Sequence, residues 1–237
     1  MNLILLEPQD YTTSNNVTLS DQRYSQIRNI HRSAVGDRVK VGQLNGLIGS
    51  GVITALDDQH VALGDLQLDQ QPPAKLPLRI VLALPRPKMI RRIFRTIAEL
   101  GVSELIIINS YKVEKSFWQS PAIAADKVRE YLIDGLQQAK DTVLPEVIFE
   151  PRFKPFVEDR LPALVAGQQA FIAHPNLGQA CPQPLNQPLT LAIGPEGGFT
   201  PYEVDKLVDT GFEGVHLGPR ILKVENALTV LVAKLYS

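Results

Sequence analysis

The chain has 237 residues, 44% of them hydrophobic and 21% charged, so it can bury a sizeable core as one large or two small domains. A formal net charge of −1 gives no overall attraction to nucleic acid, and any basic surface must therefore be local. The single cysteine, Cys181, excludes an internal disulfide framework and a cysteine-based zinc site. No apolar run reaches the roughly 18 residues of a membrane span, and residues 1–8 lack the features of a signal peptide. We therefore expect a cytoplasmic protein that does not engage a membrane.

The first part of the chain favours short strands. Glycine turns separate the apolar or alternating runs, which is typical of a small β-barrel. A helix is predicted over residues 20–35, with Ser20 as its N-cap. The proline-rich segment Asp69–Pro77 predicts an extended linker, so we place one domain at residues 1–70 and a second at 71–237. Strands are expected at 2–6, 17–19, 38–41, 51–56 and 60–68.

Strands and helices alternate after the linker, which predicts an α/β domain around a mainly parallel sheet. The continuous apolar runs, such as Leu105–Ile108, indicate strands that are buried on both faces. Predicted strands are 78–84, 102–108, 146–149, 169–173, 189–193 and 214–217, and predicted helices are 87–100, 115–140, 154–166, 200–210 and a last one from about residue 222.

Two stretches near the C-terminus share one pattern, an apolar run that breaks at Gly-Pro and continues into a helix. The first is Leu191-Ala-Ile-Gly-Pro-Glu-Gly-Gly-Phe-Thr-Pro-Tyr-Glu203, and the second is Gly214-Val-His-Leu-Gly-Pro-Arg-Ile-Leu-Lys-Val-Glu-Asn226. Each pattern sets a bare backbone loop at the carboxyl end of a strand, where open α/β sheets bind ligands. In the first stretch, Thr200-Pro-Tyr-Glu203 predicts a capping box with proline at the first helical position.

The two loops are expected to lie side by side and to bind a ligand that backbone groups can recognise, such as a purine edge. Neither a P-loop motif nor a dinucleotide-binding G-x-G-x-x-G motif occurs between a strand and a helix. A tight strand-to-helix turn is the plainer interpretation of each loop, but it explains the pair less well.

Basic residues concentrate in two places. Arg86, Lys88, Arg91, Arg92 and Arg95 surround the start of a predicted helix without an acidic residue among them. The first domain carries the second group, which comprises Arg23, Arg28, His31, Arg32, Arg38 and Lys40. A solvated surface is one interpretation of each group, and contact with phosphates is the other.

Few other side chains indicate chemistry. The four histidines have no metal-ligand spacing, so no metal site is expected. Arg220 follows the second Gly-Pro and should project toward whatever the loops bind, and Glu225 comes in the first turn of the last helix. A carboxylate near a helix N-terminus is favourable in itself, so Glu196 and Glu225 are also explained as helix caps.

Ile193-Gly-Pro-Glu-Gly-Gly-Phe-Thr200 and Leu217-Gly-Pro-Arg-Ile-Leu222 resemble the C-terminal signature of the ribosomal RNA small-subunit methyltransferase E family. Ala98–Leu105 and the N-terminal segment Arg28–Asp37 are also similar to that family, so the resemblance spans nearly the whole chain. It implies an N-terminal PUA-like small β-barrel that binds RNA and a C-terminal SPOUT α/β domain with a deep trefoil knot.

The resemblance implies methyl transfer from S-adenosyl-L-methionine to N3 of a uridine in 16S rRNA, by a homodimer that needs no metal. It assigns Arg220 and Glu225 as catalytic candidates. The candidate RNA contacts come from the two basic groups and are Arg23, Arg28, His31, Arg32, Arg86, Lys88, Arg91 and Arg92, although the basic face at Arg91–Arg95 replaces a less basic one in the family. The implied cofactor contacts are Ala173, His174, Ile193, Gly194, Pro195, Glu196, Gly197, Gly198, Leu217, Gly218, Pro219, Ile221 and Leu222.

The chain departs from the family pattern on the substrate side. Lys223, Val224 and Asn226 replace the usual residues after the second Gly-Pro, and Asp141 stands where an arginine motif is usual. Two alternatives therefore stay open: a divergent relative that methylates another RNA, and a relative that binds RNA without catalysis.

Overall fold

A computed structural model describes residues 3–30, 32–182 and 184–236. The chain divides into two units. The first comprises Met1–Ala74 and Ile133–Leu144, and the second comprises Lys75–Leu132 and Pro145–Ser237.

The first unit is built on a six-stranded sheet in the order β1-β4-β5-β6-β3-β2. Its only parallel pair among the described strands is β1 with β4, and the remaining pairs are antiparallel. Alternating side chains such as Val39 and Val41 face an apolar core with Ile27, Ile53 and Leu63. The strands are β1 (Ile4–Leu6), β2 (Tyr11–Thr13), β3 (Asn16–Leu19), β4 (Arg38–Gln43), β5 (Ile48–Leu56) and β6 (Val61–Gln70).

The helix predicted over residues 20–35 is much shorter in the structure. Helix α1 spans Gln22–Ser25 and continues as a π-helical turn over Gln26–Ile30. Asp21 rather than Ser20 is the N-cap, because its carboxylate accepts a hydrogen bond from Arg23 N at 2.9 Å.

A segment distant in sequence completes the first unit. Leu3 N donates to Gln137 O at 3.0 Å, and Thr142 Oγ1 donates to Gly46 O at 2.5 Å. Asp141 is buried and accepts from the backbone of Thr142 and Val143, so this departure from the family pattern holds a turn.

The second unit contains a seven-stranded sheet, in the order β11-β13-β10-β12-β7-β8-β9, in which every pair is parallel. The α/β prediction for this part of the chain is confirmed, including the buried apolar strands. Its strands are β7 (Leu76–Ala83), β8 (Val102–Ile108), β9 (Glu146–Glu150), β10 (Gln169–Ala173), β11 (Gln179–Ala180), β12 (Leu189–Ile193) and β13 (Glu213–His216).

The helices follow the predicted order with several breaks. Helix α2 spans Pro87–Glu99, and α3 spans Ala125–Ala139 after two 3-10 turns at Lys115–Gln119 and Pro121–Ile123. The segment 115–140, predicted to be mostly helix, is therefore helical with an interruption, because Pro121 disfavours helical backbone at Ser120. Between Phe153 and Val165 the chain forms α4 (Phe153–Pro155), a π-helical turn (Phe156–Arg160) and α5 (Leu161–Val165), and α6 (Pro201–Asp209) and α7 (Val224–Leu235) follow.

One further expectation is corrected. Strand β6 runs to Gln70 and β7 begins at Leu76, so the linker covers only 71–75 of the predicted Asp69–Pro77. Helix α2 buries Ile90, Ile93 and Ile97, and Leu100 is half-buried at its C-cap.

Candidate functional site

The ends of three parallel strands lie in one row. Ala173 of β10 pairs with Ile193 of β12 on one side and with Val215 of β13 on the other. The chain leaves each strand at its carboxyl end, which brings three loops to one edge of the sheet. The two Gly-Pro loops are among them, so their expected proximity is confirmed.

The first Gly-Pro loop is a tight turn held by neighbouring segments. Gly198 N donates to Pro195 O at 2.8 Å, and Gly198 has a φ of +69°, which favours glycine. Lys112 Nζ donates to Gly197 O at 2.6 Å, and Glu196 Oε1 accepts from Arg86 N at 3.2 Å. The loop is therefore tied to the segments that follow β8 and β7.

The helix after this loop begins as predicted. Thr200 Oγ1 accepts from Glu203 N, and Glu203 Oε2 accepts from Thr200 N at 2.8 Å, so the capping box is confirmed. The Glu203 carboxylate is 3% exposed and also accepts from Tyr111 N at 2.8 Å.

The second Gly-Pro loop turns at a residue that requires glycine. Gly218 has a φ of +96°, a conformation that residues with a Cβ rarely adopt. Its N–H donates to His216 Nδ1 at 3.1 Å. In a neutral imidazole ring, this contact leaves the proton on Nε2.

A cavity of about 330 Å³ lies among the three loops. Val224, Ala227 and Leu231 of α7 give it an apolar wall together with Phe199 and Val215. The two loops contribute backbone to the lining at Gly194, Gly198 and Gly218, which have no side chain. An apolar wall with a polar backbone rim is the usual form of a small-molecule site.

Most of the predicted cofactor contacts meet in this cavity. Gly197 and Pro219 do not line it, although both belong to the loops. The predicted residues that line it are Ala173, His174, Ile193, Gly194, Pro195, Glu196, Gly198, Leu217, Gly218, Ile221 and Leu222.

The two catalytic candidates are placed differently. Arg220 is exposed and lines the cavity, whereas Glu225, in the first turn of α7, does not line it. Lys223 is the N-cap of α7 and also lines the cavity. Sequence reasoning missed Lys112 and Glu203 as supports of the site, because Lys112 contacts Gly197 and Glu203 contacts Tyr111 across segments distant in sequence. It also missed His216 as a cavity residue, although His216 lies only two residues before Gly218.

The predicted RNA contacts of the first unit are partly engaged in ion pairs. Arg23 is bound to Asp10 and Asp21, and Arg28 is bound to Asp58 at 2.7 Å, with its guanidinium 5.9 Å from the centre of the Tyr24 ring. Arg32 is exposed and has a φ of +51°, and His31 lies outside the described residues.

The predicted RNA contacts of the second unit lie on and before α2. Arg86, Lys88, Arg91 and Arg92 are all exposed, on the side of the helix away from its buried residues. Arg95 is half-buried, with its guanidinium 4.6 Å from the centre of the Tyr131 ring.

Within residues 3–30, 32–182 and 184–236, no group of three or more His, Cys, Asp or Glu side chains could hold a metal ion. No helix in these ranges is long and apolar enough to cross a membrane.

The sequence model of the RNA methyltransferase domain matches residues 72–236, which includes all three cavity loops. The chain belongs to this family of RNA methyltransferases. The predicted resemblance is thereby confirmed, and the family's defining domain coincides with the part of the chain that carries the cavity.

Relatives extend the similarity to the first unit. The ribosomal RNA small subunit methyltransferase E of Treponema pallidum is 29% identical over 96% of this chain and 87% of its own length. The protein of the same name from Synechocystis is 27% identical over 92% of this chain and 72% of its own length. This methyltransferase's fold resembles that of a ribosomal RNA small subunit methyltransferase E from Neisseria gonorrhoeae, solved bound to S-adenosyl methionine. The TM-score is 0.71 at 18% identity, over 98% of this chain and 95% of the other.

Proposed function

We propose that this methyltransferase transfers a methyl group from S-adenosyl-L-methionine to N3 of a uridine in 16S rRNA. The observation that carries the proposal is the cavity between two Gly-Pro loops in a chain of the RNA methyltransferase family. The names of the relatives support ribosomal RNA as the substrate, and the solved neighbour bound to S-adenosyl methionine supports the cofactor.

The residues of the cavity fit this cofactor. The cavity volume of about 330 Å³ lies within the range of small-molecule sites. The apolar wall of α7 suits an adenine ring, and backbone groups of the loops suit its hydrogen-bonding edge. We assign cofactor contact to the residues that line the cavity, with Gly197 and Pro219 shaping the loops.

When bound, S-adenosyl-L-methionine supplies an electrophilic methyl group on a sulfonium sulfur. N3 of uridine carries a proton and is a poor nucleophile while neutral, so the protein must favour the imide anion. We assign this role to Arg220, whose cation at the cavity would stabilise the developing negative charge. Glu225, which does not line the cavity, is the second candidate, as the base that would accept the N3 proton. Unchanged methyl transfer by an Arg220→Ala protein would remove Arg220 from the proposal.

The finer architecture is part of the proposal. We propose that residues 1–70 form a PUA-like RNA-binding β-barrel and that residues 71–237 form a SPOUT domain with a deep trefoil knot. The six-stranded sheet and the meeting of three loops at one sheet edge support these assignments. We also propose that the protein is a cytoplasmic homodimer. The exposed side chains of Ile221 and Leu222, which line the cavity, support the pairing, and sedimentation equilibrium would test it.

Calorimetry with two matched glycine variants tests the cofactor site. Gly218 and Gly101 both have positive φ, +96° and +73°, and a Cβ added at either would meet nothing within 4 Å. Each alanine variant should lose roughly 1–3 kcal/mol of stability through backbone strain. Only Gly218→Ala should lose affinity for S-adenosyl-L-methionine, by about tenfold or more. Absence of binding to the wild-type protein would contradict the cofactor assignment.

A transfer assay tests the reaction. The protein is incubated with small ribosomal subunits and labelled cofactor, and the RNA is then digested to nucleosides and analysed by mass spectrometry. Label in 3-methyluridine supports the proposal. Label in another nucleoside supports the divergent relative, and cofactor or RNA binding without label supports the non-catalytic relative.

A further inference from the structure

The segment after β8 holds a large aromatic side chain in solvent. Tyr111 is 86% exposed, whereas Ser110 and Val113 on either side of the turn are 3% and 8% exposed. An isolated exposed aromatic residue is common on protein surfaces, so this exposure assigns no role by itself.

The backbone beneath Tyr111 is held in place. Tyr111 N donates to Glu203 Oε1 at 2.8 Å, and the same buried carboxylate caps α6 through Thr200. Val113 N donates to Ser110 O at 2.9 Å, which closes the turn. A ring on a fixed backbone loses little conformational entropy on binding, which favours its use as a rigid contact.

This turn also contacts the first Gly-Pro loop. Lys112 Nζ donates to Gly197 O at 2.6 Å, and Gly197 lies between Glu196 and Gly198, which both line the cavity. The next segment along the sheet edge is also cationic, since Arg86 contacts Glu196 and its side chain is 69% exposed. Tyr111 therefore adjoins a lysine that binds the glycine loop.

An exposed aromatic ring on a fixed backbone, with a lysine next to it in the chain, is an arrangement with which proteins bind single-stranded RNA. Bases stack on the ring, and the cations contact the phosphates. We propose that Tyr111 is a positioning residue that stacks on a base of the single-stranded RNA substrate next to the cavity. This inference rests on the proposed function for the identity of the substrate. Because every base has a π-face, the contact sets the position of the strand rather than selecting a sequence.

Four variants test the stacking contact. Tyr111→Ala removes the ring, Tyr111→Leu keeps an apolar side chain without a π-face, and Tyr111→Phe keeps the ring without the hydroxyl. Tyr202→Ala is the matched control, since Tyr202 is another exposed tyrosine, at 50%, whose ring centre lies 5.9 Å from Lys206 Nζ. Binding to a labelled single-stranded oligouridine is measured by fluorescence anisotropy for each variant and the wild type.

The Ala and Leu variants should bind oligouridine about five- to hundredfold more weakly, as loss of one stacked base predicts. The Phe variant and the Tyr202 control should bind as the wild type does. In methyl transfer to small subunits, Tyr111→Ala should raise KM for the RNA more than it lowers kcat. Calorimetric affinity for S-adenosyl-L-methionine should not change.

Several results would overturn the inference. The first is a wild-type protein that does not bind oligouridine, and the second is a Tyr111→Ala variant that binds it as the wild type does. The third is a loss of affinity in the Tyr111→Phe variant or in the Tyr202→Ala control that equals the loss in Tyr111→Ala. A Tyr111→Ala protein that changes its sedimentation instead would place the ring against a second copy of the chain. Failure of the wild type to bind S-adenosyl-L-methionine would contradict the proposed function, whereas the oligouridine comparison would still decide the role of Tyr111.

Discussion

At the scale of single residues, Arg23 is a basic side chain that is mostly buried and forms ion pairs within its own unit. Its guanidinium donates to both carboxylate oxygens of Asp10, at 2.5 and 2.7 Å, and to Leu5 O at 2.7 Å. It also donates to Asp21 at 2.6 Å. The side chains of Arg23 and Asp10 are only 14% and 7% exposed, so removing either would leave a charge in a poorly solvated place.

We expect Arg23→Ala to destabilise the protein by about 3 kcal/mol, the order of magnitude for breaking a buried pair. The matched control is Arg38→Ala, which breaks a pair with Asp65 whose side chains are 47% and 54% exposed. Such a surface pair contributes about 0–1 kcal/mol. Urea unfolding measures both, and equal losses would contradict the structural role of Arg23.

The same network should make this unit sensitive to acid. Burial alone would raise the pKa of Asp21, but hydrogen bonds from Arg23 and the backbone outweigh it and hold that pKa below its usual value. A lowered folded-state pKa contributes stability above the unfolded pKa, and the contribution is lost as pH falls through the folded value. In the wild type, part of the Arg23 contribution should therefore disappear under acid conditions.

At the scale of elements, Tyr236 ties the end of α7 to two other segments. Its hydroxyl donates to Gln187 O at 2.8 Å and lies 3.2 Å from Pro77 O. Burial raises the pKa of Tyr236 from 10.0 to about 12. The last helix, which forms the apolar wall of the cavity, is thereby fastened near the start of β7 and the segment before β12.

Stability should fall as pH rises from 10 to about 12, because the unfolded tyrosine loses its proton before the folded one does. After allowance for partial exposure, the loss should be about 1 kcal/mol. Tyr236→Phe should reduce this dependence, so urea unfolding of both proteins across that pH range provides the measurement. Identical pH profiles would contradict the assignment.

At the scale of the whole molecule, the chain has no excess of positive charge, and its basic side chains are concentrated on local surfaces. The net charge is −1, yet Arg91 and Arg92 stand exposed on one side of α2. Attraction to RNA must therefore come from local groups, and each phosphate contact adds to the salt dependence of binding.

If α2 contacts phosphates, the double variant Arg91→Gln with Arg92→Gln should bind RNA more weakly. Its slope of log affinity against log salt concentration should be smaller by roughly 1 to 2. Lys127→Gln is the control, since Lys127 is exposed on α3 and paired with Glu130 at 2.6 Å. Anisotropy titrations over a salt series measure the slopes. A double variant with the wild-type slope would show that Arg91 and Arg92 do not contact phosphates.

Much of this protein follows from local rules in its sequence. The parallel strands of the second unit, the capping box at Thr200 and the two Gly-Pro loops were predictable, because proline, glycine and apolar runs restrict the backbone nearby. The motif residues around Gly194 and Gly218 also carried the family resemblance that the comparison confirms. Local rules were weaker for long helices, as the breaks before Ala125 show.

Only the tertiary structure decided which distant residues meet. The order of strands placed β10 between β12 and β13, and thus brought His174 and His216 to one cavity. It also joined Lys112 to Gly197 and Tyr111 to Glu203, and it committed Arg23 to Asp10 rather than leaving it on an open surface. These pairings depend on strand order and side-chain burial, which arise from packing across the chain and leave no signal in the neighbouring sequence.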